Sequence, residues 1–246
     1  MTNPSHASAA APAHPAHAAH SAPRAILFDL DGTLADTAPD LAAAVNRLRT
    51  ERGLEPTAYE LLRPTASAGA RGMIGAAFGL KPADDGFAEL REGFFDNYQA
   101  AMAVHSTLFP GIVELLAGIE QAGLKWGIVT NKPARFTDPL LPQIGLAHAA
   151  CIVSGDTTAH AKPHPAPLLE AAARLGLAPE QCWYVGDDLR DIQAGQAAGM
   201  LSIGCGWGYC GMEEPHGWQA DRVLDTPEQL LAMMRSSVTD KAQLAA

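Results

Sequence analysis

Short apolar runs and amphipathic stretches alternate along most of this chain. Ala25–Phe28 and residues 126–129, 151–153, 182–185 and 201–203 are apolar runs of strand length without polar alternation. Such runs mark strands buried on both faces. Between them, residues 110–123 place Ile112, Leu115, Leu116 and Ile119 at helical spacing and close on Gly123. Residues 165–176 repeat the design with Leu168, Leu169, Ala172 and Leu175, and residues 189–199 form a third stretch around Ile192. A glycine just past such a stripe is a helix stop. Strand and helix in alternation predict an α/β fold, a doubly wound parallel sheet with helices on both faces.

The alternation breaks once. Residues 39–103 carry three helical stripes and no strand: Leu41, Val45 and Leu48; Met73, Ala77 and Leu80; then Phe87, Leu90, Phe94, Phe95 and Tyr98. The expectation is a helical cap over 39–103, inserted into a core of residues 24–38 and 104–240, behind a tail of residues 1–23.

Composition narrows the classes. With 246 residues, 48% hydrophobic and 18% charged, the chain can bury a sizeable core. Seventeen basic against 27 acidic residues leave a net charge of −10. That balance repels a nucleic-acid backbone, yet a pocket or a metal can still favour a small anion locally. Cys151, Cys182, Cys205 and Cys210 form no C-x-x-C pair, so they read as thiols of a reducing compartment rather than a disulfide framework. The tail is built mostly of Ala, Pro, His and Ser without a charged side chain. It lacks the basic and leucine-rich regions of a secretory signal, and its small apolar surface predicts disorder. The uncharged stretch between Asp191 and Glu213 holds six glycines, a mixture too polar for a membrane helix. A cytoplasmic protein without membrane or nucleic-acid partners is expected.

Four strand ends carry the candidate chemistry. The first run delivers Asp29-Leu30-Asp31-Gly32-Thr33. Residues two apart on an extended backbone share a face, so Asp29 and Asp31 point together, and Gly32 permits a sharp turn. Doubly wound sheets bind ligands beyond the carboxyl ends of their strands. Two like charges there call for a cation or a proton between them. A second acidic group, Gly186-Asp187-Asp188-Leu189-Arg190-Asp191, closes another run, with Asp187 and Asp191 four apart. Oxygen ligands alone favour a hard cation such as Mg²⁺. Thr130-Asn131 and Lys162-Pro163 add a hydroxyl, an amide and an ammonium at two further ends. Together these are the parts that hold a transferring phosphoryl group.

These four motifs, in this order, resemble the haloacid dehalogenase-like superfamily, from about Arg24 to the last strand. The resemblance implies a Rossmann-like core with an inserted cap. Within the superfamily the chain looks like the phosphoglycolate-phosphatase-like group. Residues 66–73, 76–79 and 103–106 are most similar in look to the bacterial N-acetylmuramate 6-phosphate phosphatases. Asp29 is then implied as nucleophile and Asp31 as the acid and base. Mg²⁺ would be held by Asp29, Asp187 and the carbonyl of Asp31, with Asp188 and Asp191 behind them. Gly32, Thr33, Thr130, Asn131 and Lys162 are implied at the phosphate, and Ser67, Arg71 and Arg135 are candidates for the rest of the substrate. The implied reaction is hydrolysis of a small phosphate ester through an aspartyl-phosphate, with 2-phosphoglycolate and N-acetylmuramate 6-phosphate as leading substrates.

Three other readings stay open. A sugar phosphomutase shares every motif. A non-catalytic binding protein would keep the fold and be recognised by its lack of turnover. A dehalogenase would use the Asp29 position on carbon, though Asp31 and the acidic group then have no task. Gly206-x-Gly208-x-x-Gly211 matches the dinucleotide fingerprint by spacing, but Glu213-Glu214-Pro215 follows where a helix is required, so it reads as a loop. Oligomeric state is not legible.

Overall fold

The computed structural model describes residues 22–211 and 215–244, with side chains through residue 240. Nearly all of the predicted tail therefore lies outside the described residues.

Six parallel strands form the main sheet: β1 (Ala25–Phe28), β4 (Lys125–Val129), β5 (Ile152–Val153), β6 (Cys182–Gly186), β7 (Leu201–Cys205) and β8 (Arg222–Leu224). Their order is β5-β4-β1-β6-β7-β8. The chain winds outward from β1 through β4 to β5, then returns to the other flank of β1 with β6. β1 therefore lies at the switch point, where the carboxyl ends of the strands open a crevice.

Period-two alternation divides β1 between two cores. Ile26 and Phe28 pack with Trp126, Ile128, Trp183 and Val185 on one face. Ala25 and Leu27 pack with Tyr184 and Val153 on the other. The first face is covered by α5 (Ile112–Gln121), α6 (Ala134–Gln143) and α9 (Pro227–Leu244), and the second by α7 (Ala166–Leu175) and α8 (Leu189–Ala198). Gly176 and Gly199 close α7 and α8 in the left-handed conformation. The doubly wound parallel sheet expected from the sequence is present.

Two short strands, β2 (Ala35–Asp36) and β3 (Thr107–Leu108), pair antiparallel. Between them lie α1 (Ala38–Thr50), α2 (Tyr59–Leu62), α3 (Gly69–Phe78) and α4 (Phe87–Ala100), the inserted helical cap. The stripes read from the sequence face its interior: Leu41, Val45, Leu48, Met73, Phe94 and Tyr98 are buried in one cluster with the first face of the sheet. The buried carboxylate of Asp40 fastens the return strand. It accepts from the main-chain N–H groups of His105 and Ser106 and from Ser106 Oγ, at 2.7–3.0 Å.

Six elements have no counterpart in the sequence reading: β2, β3, β8, α2, α6 and α9. The three strands hold two or three residues each, too few for a period. α6 contains Pro139 and Pro142, which each remove a helical N–H. It is retained by burying Phe136, Leu140 and Leu141.

Candidate active site

Asp29 stands one residue beyond β1, and its main-chain N–H still donates to Val185 O at 2.9 Å. The ladder thus carries the carboxylate to the mouth of the crevice, where it is 6% exposed. Its Oδ1 accepts from Lys162 Nζ at 2.7 Å. Lys162 is buried, and its ammonium also donates to Val129 O and Tyr184 Oη and reaches Asp191 Oδ1 at 2.7 Å. Tyr184 Oη in turn donates to Val129 O, so a phenol from β6 braces the lysine from below. Asn131 brackets the same residue: its amide accepts from the Lys162 N–H and donates to the Lys162 carbonyl, both at 2.9 Å.

Asp29, Asp187 and Asp191 each offer a carboxylate oxygen, and these oxygens lie within 4.8 Å of one another. All three residues are buried. Asp187 accepts from Thr33 Oγ1, Ser67 Oγ and the Tyr209 N–H. These donors do not offset its surroundings. Burial, and then the charges of Asp29 and Asp191, push its pKa well above the ordinary carboxylate value. Burial likewise raises Asp191, to about 6, against the lowering pull of Lys162. Lys162 goes the other way: burial alone would lower it, but Asp191 and Asp29 raise it. Three carboxylates facing one ammonium carry excess negative charge in a dry site. A divalent cation fits that excess and that all-oxygen donor set.

Glycines let the acids approach so closely. Gly32 has φ +93°, and a Cβ there would lie 2.1 Å from Asp187 Oδ2. At Gly208 a Cβ would sit 2.3 Å from both Asp187 Cβ and the Gly32 carbonyl. Neither neighbour is the flexible end of a side chain. Gly208→Ala is expected to cost about 1–3 kcal/mol through overpacking and to displace Asp187. The checks are a lowered melting temperature and a higher Mg²⁺ concentration for half-maximal activity.

Asp31 also faces the cavity but belongs to a different group. Its carboxylate accepts from Thr37 Oγ1 and from Lys132 Nζ, at 2.9 and 3.2 Å for the lysine. Lys132 is buried, with its ammonium 4.6 Å from the centre of the Tyr98 ring. Asp188 caps α8 by accepting from the Arg190 N–H and binds the Arg190 guanidinium through both oxygens at 2.7 and 2.8 Å. Burial alone would raise Asp188, but Arg190 outweighs it and lowers the pKa. Arg190 also donates to the carbonyl of Ser67, tying the core to the cap.

A cavity of about 220 Å³ collects these groups beneath the cap. Of the residues singled out in the sequence, Asp29, Asp31, Ser67, Thr130, Asn131, Lys162, Asp188 and Asp191 line it, whereas Asp187 is fully buried and does not. Gly32 and Thr33, expected at phosphate, do not line it and instead pack against Asp187. Arg71 is exposed on α3 and does not line it either. Arg135 stands outside its aromatic wall, 4.3 Å from the Phe95 ring centre and 4.6 Å from that of Phe136. Lys132, Arg190 and Tyr98 line the cavity but were absent from the candidates. Lys132 carried a signal, as a second lysine directly after Thr130-Asn131. Tyr98 carried none, because its place in an apolar stripe reads as core.

The loop after β7 closes the site from behind. Trp207 Nε1 donates to Thr33 O. Tyr209 Oη accepts from the N–H groups of Thr37 and Ala38 at 2.7 and 2.8 Å, and donates to Asp36. Asp36 is ion-paired to Arg63 at 2.7 Å, and the Arg63 guanidinium lies over the Tyr209 ring. The dinucleotide-like glycine spacing thus serves to pack this loop on Asp187.

A parallel sheet whose switch point presents a buried acid trio, with a lysine among the acids and a helical cap above, suits a phosphate ester, and the relatives of this chain are phosphoric monoester hydrolases. The family model for haloacid dehalogenase-like hydrolase matches residues 26–205, and the chain belongs to that family. It is 46% identical to an N-acetylmuramic acid 6-phosphate phosphatase of Pseudomonas putida, covering 87% of this chain and 97% of that protein. It is 49% identical to a phosphoglycolate phosphatase of Xanthomonas campestris pv. campestris, covering 85% and 95%. Among solved structures, a predicted phosphoglycolate phosphatase from Haemophilus somnus superposes with a TM-score of 0.77 at 28% identity, over 87% of this chain and 98% of that one. Among the described residues, no helix is long and apolar enough to cross a membrane.

Proposed function

We propose that the protein is a Mg²⁺-dependent cytoplasmic phosphatase of a small phosphate ester, with 2-phosphoglycolate and N-acetylmuramate 6-phosphate as the leading substrates. The observation that carries this reading is the placement of Asp29: at the end of the central strand, 2.7 Å from the Lys162 ammonium and within the acid trio. A carboxylate can act as a nucleophile without a general base to activate it. Its difficulty is the charge of the phosphate it must approach.

Asp29 and Asp187 would hold the cation together with the main-chain carbonyl of Asp31, while Asp191 stands beside them on Lys162. When bound, the cation supplies positive charge at the phosphate oxygens and at Asp29. Lys162 would add its own charge beside Asp29, and the hydroxyl of Thr130, which lines the cavity, would donate to a phosphate oxygen. An oxygen of Asp29 forms a bond to phosphorus as the ester P–O bond breaks, and the leaving alkoxide takes a proton from Asp31. Water then attacks the aspartyl-phosphate, giving its proton to Asp31, and phosphate and the free Asp29 carboxylate are regenerated. The cap, residues 39–103, excludes bulk water from this exchange and brings substrate contacts over the site.

The test is phosphate release from 2-phosphoglycolate, N-acetylmuramate 6-phosphate and simple hexose phosphates, compared side by side as kcat/KM. Release that favours one of the first two by tenfold or more is expected. Transfer of the phosphoryl group between sugar positions, without free phosphate, would replace this reading with a mutase.

A further inference from the structure

One residue ties the cap twice to the segment that joins β6 to α8. Ser67 lies in the 3-10 turn Arg63–Ala68 of the cap. Its hydroxyl donates to Asp187 Oδ2 at 2.9 Å, and its carbonyl accepts from Arg190 Nη2 at 2.8 Å. Arg190 is itself fixed, because its guanidinium holds both oxygens of Asp188. The other end of the turn is held as well, where Arg63 pairs with Asp36 at 2.7 Å. The turn is also packed firmly into the cap. A Cβ on Gly72 of α3 would lie 2.2 Å from the Thr65 carbonyl oxygen and 2.8 Å from Ala68 Cβ. Only glycine permits so close an approach, so turn and helix meet backbone to backbone.

Asp187 is the acid on which these ties act. A carboxylate offers about four lone-pair sites. Three are taken, by Thr33 Oγ1 at 3.1 Å, the Tyr209 N–H at 3.0 Å and Ser67 Oγ at 2.9 Å. Thr33 and Tyr209 belong to the core, and of the three donors only Ser67 comes from the cap. A serine hydroxyl has one proton to donate, and here it is given to Asp187. The contact therefore serves the acid trio, whose oxygens lie within 4.8 Å of one another, and leaves no proton for a substrate.

We propose that Ser67 is a positioning residue: with the cap seated, its hydroxyl orients Asp187 toward the cation, so that seating of the cap and binding of the cation favour each other. This rests on the Mg²⁺-dependent phosphatase reading above and goes beyond it by naming the group that links cap to metal. In this role Ser67 touches neither the phosphate nor the reacting atoms. The coupling is reciprocal: if removing the hydroxyl weakens the cation, the cation must in turn steady the cap through it.

The test reads both directions. Mg²⁺ is titrated calorimetrically into the metal-free native protein and into Ser67→Ala, and the Mg²⁺ concentration for half-maximal phosphate release from p-nitrophenyl phosphate is measured beside it. Both constants should rise by about two- to tenfold in the variant, the worth of one ordinary hydrogen bond, with the KM for the ester at saturating Mg²⁺ within twofold of native. Mg²⁺ should also slow amide hydrogen exchange across residues 63–70 of the native protein, a measurement that stands even if Ser67→Ala fails to fold. Mg²⁺ constants that change less than twofold, a rise confined to the KM for the ester, or exchange across 63–70 that Mg²⁺ leaves unaltered would each overturn the proposal and leave the phosphatase reading intact. A native protein that binds no Mg²⁺ and releases phosphate from no ester fails the reading itself, and the coupling with it.

Discussion

Asp29→Asn should reduce turnover by at least about three orders of magnitude and leave the melting temperature of the metal-free protein unchanged or slightly raised. The two halves of this result have one cause. The amide keeps the shape of the carboxylate but loses its charge, so no nucleophilic oxygen remains 2.7 Å from Lys162. Loss of one member of a buried ion pair usually destabilises strongly, because the other charge is stranded. Here Lys162 keeps Asp191 at 2.7 Å and its bonds to Tyr184 and Val129. The substitution also removes a negative charge from beside Asp187, whose pKa burial and Asp29 both raise. The measurements are steady-state phosphate release and a thermal melt. Residual turnover above about one part in a hundred would remove Asp29 from its assigned part.

Chelation supplies the second large effect: EDTA should silence the enzyme, and Mg²⁺ should restore it. The same cation should raise the melting temperature more at pH 7 than at pH 5. In the metal-free fold Asp191 is raised to about 6 and Asp187 is raised well above its usual value. An unfolded aspartate releases its proton near pH 4. Between about pH 4 and 6, and higher for Asp187, the folded state therefore holds protons that the unfolded chain has lost, and stability falls as pH rises. A cation bound to the ionised acids removes that penalty, so its stabilising effect grows as the protons leave. Asp187→Asn should flatten the pH dependence of the shift. Activity that survives exhaustive chelation, or a Mg²⁺-induced shift equal at both pH values, would contradict the assignment of the trio to a cation.

Much of this site is legible along the chain because it sits where strands end. β1, β4 and β6 are buried on both faces, so each reads as an unbroken apolar run, and the first polar residues after it mark the rim. Asp29, Thr130 and Asp187 all announce themselves in this way. Helices with a clean stripe and a terminal glycine, such as α7 and α8, are equally plain. What stays hidden is held by tertiary contact. The short strands β2 and β3 hold too few residues to show a period. α6 survives its two prolines only because Phe136, Leu140 and Leu141 find a core. Tyr98 is placed by α4 packing on α1, and its stripe gives no hint that the residue lines a cavity. Arg71 misleads for the converse reason. It is a candidate through the resemblance, yet on α3 it is exposed and does not line the cavity.

Tyr209 ties the start of the cap to the acid trio. Its main-chain N–H holds Asp187, while its phenolic oxygen accepts from the N–H groups of Thr37 and Ala38, where α1 begins, and holds the strand that leads into it. Helix starts have donors that nothing within the helix can satisfy. Swinging α1 off that oxygen would strand two of them at once. The same residue therefore satisfies the start of the cap with its ring and the buried Asp187 carboxylate with its backbone.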